Sequence, residues 1–388
     1  MSRKDYPVAP EDEELQAESA AETAEEAPAE EEPAVETGKE EVPAEEVQPS
    51  TYMPERSLEE QAEEKSLRPT SFDDFIGQDQ VVDNLRIAIQ AALDRGGVLD
   101  HILLSGMPGL GKTSIAMLLG GEMGAGNTYV LSGPTLERGK DIVGTLTQLQ
   151  RGDLLFIDEV HRMSAHTEEF LYSAMEDFRV DLIIDSGADS RSNPVDLKPF
   201  TLVGATTREG LLTAPLRSRF QIVEKLETYP PEELARILQR SAGLLECDIE
   251  EEAGYALASR CRGTPRFANR FLRRIRDVAQ SRGEWKIGET LRIDSSAVLE
   301  GLERLGIDEN GLDRVDRKIL RTLFDNGGDA VGLKTLAATV GEEQRTIEEV
   351  YEPHLIREGL INRTSRGRCA TRKAAELYGD HTGQPSFV

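Results

Sequence analysis

Between residues 101 and 227, short apolar runs alternate with longer stretches whose apolar positions recur at helical spacing. The runs are HILLSG (101–106), TYVLSG (128–133), DLLFIDE (153–159), FTLVGATT (200–207) and QIVEKLE (221–227). Runs this short, bounded by turn residues and separated by helix-like segments, predict the strands of a parallel sheet covered on both faces. Ahead of them, QVVDNLRIAIQAALDRG (80–96) has the periodicity of an amphipathic helix. The first predicted unit is therefore an α/β domain over 67–229. From Pro230 the pattern changes. YPPEELARILQRSAGLL opens a stretch, to about residue 301, with a proline-led helix start and no strand-like run, which predicts a small helical lid. A third pattern occupies 302–388. DRVDRKILRTLFDN (313–326), GLKTLAATV (332–340) and EEQRTIEEVYEPHLIREG (342–359) read as helices. LINRT and CAT read as strands around a turn at SRGR. Three helices closed by a β-hairpin make a winged helix, a relative of the helix-turn-helix.

Charge changes the picture at one end. The 388 residues carry a formal net charge of −27, and residues 1–66 hold 22 acidic and five basic residues, which is 17 of those 27 charges. That segment is Glu, Ala, Pro and Val with few aromatics, so it cannot bury enough apolar surface to offset chain entropy and is expected to be a disordered acidic arm. The remaining body is only mildly acidic, which leaves room for a nucleic-acid partner bound by a local basic patch. One such strip exists: INRTSRGRCATRK (361–373) has five basic residues and no acidic one. It falls on the expected wing, where contacts to phosphates are anticipated. Cys247, Cys261 and Cys369 are scattered and lack ligand neighbours, which argues against a disulfide framework or zinc site and suggests a cytoplasmic setting. No secretory h-region opens the chain and no apolar run is long enough to span a membrane.

The candidate chemistry lies at the ends of the predicted strands. GMPGLGKTS (106–114) fits G-x-x-x-x-G-K-[ST], with Gly106, Gly111, Lys112 and Thr113 at the defining positions, after a strand and before a helix. Backbone N–H groups of such a loop curl round a β-phosphate, the helix N-terminus adds positive potential, the lysine reaches the outer phosphates and the threonine ligates Mg²⁺. LLFIDE ends in Asp158 and Glu159, suited to hold a metal-bound water and to polarise the attacking water respectively. Thr206 or Thr207 is placed to sense the γ-phosphate from the neighbouring strand tip. PLRSRF offers Arg217 or Arg219 as an arginine finger. Arg266 stands in the first turn of a lid helix, where an arginine is unfavourable unless it meets an anion.

Together these pieces resemble the AAA+ ATPases and, more closely, the RuvB family of bacterial Holliday-junction motors. The resemblance covers about 67–379. It rests on LRP before FIGQ, DHILLSGMPGLGKT, LLFIDEVHR, YSAMEDF, TLVGATTREG, PLRSRF, RGTPRFANR, DRKIL and EPHLIREGLINRTSRGR, in that order. It implies ATP with Mg²⁺, a hexameric ring, duplex DNA at a Holliday junction, the loading partner RuvA and the resolvase RuvC. It also implies residue roles. Leu67 and Arg68 flank adenine and ribose; Gly109 and Ser114 belong to the phosphate loop. Glu176, Asp177 and Phe178 lie near the nucleotide and Tyr229 packs beside it. Arg219 is the finger that enters a neighbouring subunit, Arg266 is the second sensor, and Arg363 and Arg368 contact DNA. The segment 178–200 would form a hairpin that docks on RuvA. Three positions depart from the family pattern: Met107 and Ser365 stand where prolines are usual, and Ser114 where threonine is common. The residues alone leave a rival open, a clamp-loader-like protein or a regulatory DNA-binding switch. A clamp loader would end in a helical collar instead of a wing.

Overall fold

The computed structural model describes residues 65–183, 192–282 and 289–378. Residues 1–64 of the expected acidic arm, and residues 184–191 of the expected hairpin, lie outside the described residues. In chain order the strands are β1 (Ile102–Ser105), β2 (Thr128–Ser132), β3 (Leu154–Asp158), β4 (Arg179–Ile183), β5 (Ser192–Asp196), β6 (Thr201–Thr206), β7 (Ile222–Lys225), β8 (Cys247–Ile249), β9 (Leu291–Ile293), β10 (Ile361–Thr364) and β11 (Gly367–Ala370). The five apolar runs become β1, β2, β3, β6 and β7. They form one parallel sheet in the order β2-β3-β6-β1-β7.

Burial follows position in that sheet. The central strands β1 and β6 are buried throughout, whereas edge strands β2 and β7 expose alternate residues. Alternation across the pleat divides the core in two. Ile102, Leu104, Phe156 and Val203 face a cluster shared with the helix Asp79–Asp94 and the lid. Leu103, Leu155, Ile157 and Leu202 face the opposite cluster with the helix Ala165–Glu176. Because the first cluster continues into Leu234, Leu238, Phe271 and Ile275, the lid is joined to the sheet domain by apolar packing as well as by the chain.

Two features of the lid differ from the sequence expectation. It is not purely helical: β8 and β9 pair in parallel. Each has three residues with only its end positions buried, too short to leave a readable alternation. The expected boundary at 301/302 also falls inside the helix Ser295–Arg304, whose Ala297, Val298, Gly301 and Leu302 are buried. A Cβ on Gly301 would come within 2.6 Å of Ile275, so this helix packs tightly on the lid helix Pro265–Ser281 and belongs with it.

The C-terminal part has its own core, built on Leu320, Leu323, Leu336, Tyr351, Leu355 and Ile361. Its three helical segments precede the antiparallel pair β10–β11, as expected of a winged helix. The third is continuous over Gln344–Arg357, but Ile347–Tyr351 is wound as a π-helix. Arg262, in the turn before the lid helix, is buried against Asp316 and lies 3.9 Å from Asp313. Its carbonyl accepts from Arg357 at 2.9 Å. A charge-paired cluster thus seals the lid to the winged helix.

Candidate functional site

The carboxyl ends of β1, β3 and β6 point into one crevice beneath the lid, where ligands of open α/β sheets are bound. Its lining includes Leu67, Arg68, Gly109, Gly111, Lys112, Thr113, Ser114, Asp158, Glu159, Thr207, Tyr229 and Arg266. These residues are far apart in sequence, and the topology brings them together.

The phosphate loop is shaped by backbone requirements. Gly106 has φ +141°, and a Cβ there would meet the Leu226 carbonyl at 2.7 Å, so only glycine passes beneath the chain leaving β7. Lys112 begins the next helix and is buried. Its Nζ donates to the Gly106 and Met107 carbonyls at 2.8 Å each. Burial pushes its pKa down to about 8, against the opposing pull of Asp158 and Glu159. A buried ammonium held by two carbonyls facing a loop of N–H groups fits an anionic phosphate. Thr113 Oγ1 lies 3.4 Å from Asp158 Oδ2, so one hydroxyl and one carboxylate converge as a divalent cation beside that phosphate requires.

Glu159 occupies a left-handed backbone position, φ +53°. Its N–H donates to Asp158 Oδ1 at 2.9 Å and its carbonyl accepts from the Arg162 N–H at 2.8 Å. Conformations of this kind are costly and cluster where a side chain must be aimed. Burial, helped by Asp158, holds its carboxyl above the usual carboxylate range, as suits a general base. Of the two threonines, Thr207 lines the crevice, while Thr206 is buried and bonded to His161. Tyr229 donates to the Leu110 carbonyl at 3.3 Å, and burial raises its pKa. Arg266 reaches the crevice from the lid. So does Arg240, which sequence reasoning missed; it donates to the Leu67 and Arg68 carbonyls at 2.9 and 3.4 Å and ties that segment of the crevice wall to the lid. Nothing in a lone sequence separates Arg240 from an ordinary solvated helix arginine.

Family models match nearly all of the described chain. A model described as the Holliday junction DNA helicase RuvB P-loop domain matches residues 67–226. The RuvB AAA lid domain matches 229–308, and the RuvB C-terminal winged helix domain matches 309–379. The chain belongs to the RuvB family. It is 53% identical over 316 residues to the Holliday junction branch migration complex subunit RuvB of Myxococcus xanthus, covering 81% of this chain and 90% of that one. It is 54% identical over 317 residues to the Kosmotoga olearia subunit of the same name, again covering 81% and 90%. The solved Thermotoga maritima RuvB Holliday junction branch migration motor superposes with a TM-score of 0.71 at 47% identity, over 80% of this chain and 98% of that one.

The remaining RuvB-like positions lie elsewhere. Glu176, Asp177, Phe178 and Arg219 do not line the crevice of their own chain. Arg219 donates to Glu176 at 2.7 Å and to the Tyr172 and Pro215 carbonyls, with its guanidinium 4.8 Å from the Tyr172 ring. Asp177 ends the helix Ala165–Glu176. Phe178 packs edge-on to Phe200. Arg217, the alternative finger, is on the exposed side of the short helix Ala214–Ser218. On the wing, Arg363 is 60% exposed and meets Glu348 at 3.2 Å. Arg368, the other position expected to contact DNA, is mostly buried. It is 8% exposed and paired with Glu352 and Glu348, because both its backbone groups bond Val331 at 2.8 Å and its side chain turns inward.

Among the described residues, no helix is long and apolar enough to cross a membrane.

Proposed function

We propose that this chain is an ATP-driven motor that moves duplex DNA through Holliday junctions, working in the cytoplasm as a hexameric ring with RuvA and handing the junction to RuvC. One observation carries the reading. The lid contributes Arg266 and Arg240 to the nucleotide crevice, and the same lid is bound through buried Arg262 to the winged helix. A change of lid angle at the nucleotide therefore displaces the basic wing. The working units are taken as 67–229, a lid from 230 and a winged helix after it.

In this reading Lys112 and the loop N–H groups hold the phosphates, and Leu67, Arg68 and Tyr229 hold the base and sugar. Thr113 and Asp158 would hold Mg²⁺, which offsets phosphate charge when bound. Glu159 takes the proton of the attacking water, Thr207 reads the γ-phosphate and Arg266 joins it from the lid. Arg219, turned away from its own crevice, serves the adjacent subunit's, with Glu176, Asp177 and Phe178 on the same surface. Arginine fingers contribute roughly 10³–10⁵ in rate. On the wing, Arg363 contacts the DNA backbone, as a motor indifferent to sequence requires; Arg368, beside it on the same face, supports it through the shared Glu348. The clamp-loader-like alternative loses its support, because a winged helix follows the lid where that reading expects a helical collar.

The test is migration of a synthetic four-way junction with ATP, with and without RuvA. Strand exchange that requires both ATP and Glu159 is expected. ATP hydrolysis with no junction movement in the presence of RuvA would favour the regulatory switch.

A further inference from the structure

One buried polar group beside the site has no part in the chemistry above. His161 stands in the short turn Val160–Arg162 that follows Glu159, and its side chain is 2% exposed. Its Nδ1 lies 3.0 Å from Thr206 Oγ1. Its Nε2 lies 3.4 Å from Glu159 Oε2 and makes no hydrogen bond of ordinary geometry among the described residues. Buried polar atoms without a partner are rare and costly, and this one is directed at the carboxylate that the reaction uses.

The proton inventory fixes the direction of the chain. Thr206 Oγ1 accepts from the Arg208 N–H at 3.0 Å, so its own proton is free to be donated. An ionised Glu159 only accepts. His161 must then carry its proton on Nε2 and accept from Thr206 at Nδ1. Burial lowers the His161 pKa and keeps the ring neutral, in agreement with this tautomer. Meanwhile the Glu159 backbone is fixed on both sides, through its N–H to Asp158 and its carbonyl to Arg162. What remains free is the carboxylate rotamer.

We infer that His161 is a positioning residue for Glu159, anchored by Thr206 at Nδ1 and directing the carboxylate through Nε2–H. The long contact tightens when the site is loaded, as catalytic hydrogen bonds commonly do. The inference rests on Glu159 being the base, so the test carries that assignment as a separate arm.

The full chain is made as His161→Ala, His161→Gln, His161→Asn and Glu159→Gln. Steady-state ATPase rates give kcat and KM, a fluorescent ADP analogue gives nucleotide affinity, and thermal melting reports folding. His161→Ala is expected to lose about 10–100-fold in kcat, the scale of a displaced catalytic group, with ADP affinity unchanged. His161→Gln places an amide N–H near the old Nε2 position and is expected to recover most of the rate. His161→Asn restores only the Thr206 side and stays as slow as alanine. Wild-type kcat in His161→Ala, equal rates for Gln and Asn, or a loss that follows ADP affinity would overturn the inference. If the alanine variant does not fold, the Gln and Asn pair decides. Wild-type turnover by Glu159→Gln would remove the base assignment and this inference with it. An inactive Glu159→Gln beside unaffected His161 variants would remove the inference alone.

Discussion

Nucleotide binding to this chain should take up a proton, and Lys112 should be its acceptor. In the free protein the Lys112 ammonium is buried against two carbonyls, and its pKa has fallen from 10.5 to about 8. A depression of that size corresponds to roughly 3 kcal/mol of penalty on the charged form. Bound phosphates reverse it by placing negative charge against Nζ. At pH 8 about half of the free protein is neutral at Lys112, so binding takes up about 0.5 proton; about 0.1 is expected at pH 7 and about 0.9 at pH 9. The nucleotide itself adds little in the upper part of this range, since phosphate second ionisations fall at about pH 6. The assay is calorimetric titration with ADP in buffers of different ionisation enthalpy. Lys112→Arg is the control, because a guanidinium does not lose its proton. Uptake that stays flat between pH 7 and 9, or persists in Lys112→Arg, would refute the reasoning.

The same shift has a consequence for folding without nucleotide. Between about pH 8 and 10.5 the unfolded chain holds a proton that the folded chain has released. The unfolded state binds more protons there, so stability rises with pH. Lys112→Arg should lack that rise, and the difference between the two proteins isolates it from other groups titrating in the same range.

Three further outcomes are expected. Arg219→Ala and Lys112→Ala should each be inactive, yet a mixture should regain ATPase activity, because a Lys112→Ala neighbour still supplies an arginine; no recovery, with mixed rings seen by native mass spectrometry, would place the finger in its own subunit. Arg363→Ala should weaken binding of all DNA sequences about equally and lower the salt slope by about one, whereas Arg368→Ala should cost about 3 kcal/mol of stability in denaturant titrations, because it leaves Glu352 buried without its partner. Arg208, which bridges from the sheet domain to Glu349 at 3.1 Å and to Glu348 at 3.7 Å, is partly exposed; Arg208→Ala should cost no more than about 1 kcal/mol but reduce the effect of duplex DNA on the ATPase rate, and an unchanged effect would exclude this contact from coupling.

What could be read from the sequence was what depends on neighbours along the chain. The five sheet strands are apolar runs between turns, and the phosphate loop is a fixed spacing of Gly, Lys and Thr, so both survive without knowledge of the fold. The strands β8 and β9 failed this test, since three residues carry no period. His161 and Arg240 failed it differently. Each has the composition of a surface residue and acquires its position only when Thr206 or Leu67 arrives from a distant segment.

Arg368 is the most instructive of these, because the local pattern carries its charge but not the burial of its side chain. The SRGR turn was legible, and so was its charge. What the charge pattern does not contain is the third strand. Val331 lies in the segment before the helix Leu333–Val340 and bridges antiparallel to Arg368. Gly367 makes that approach possible: its φ is +147°, and a Cβ there would meet the Val331 carbonyl at 2.2 Å. With the backbone drawn in at 367 and bonded at 368, the Arg368 side chain is buried, where Glu352 pairs with it. Arg363, its cross-strand partner, projects from the same face of the hairpin but stays 60% exposed. One face of a single hairpin thus carries a buried arginine and an exposed one, and Glu348, bonded to both, is the group that would link a phosphate on Arg363 to the buried pair of Arg368 and Glu352.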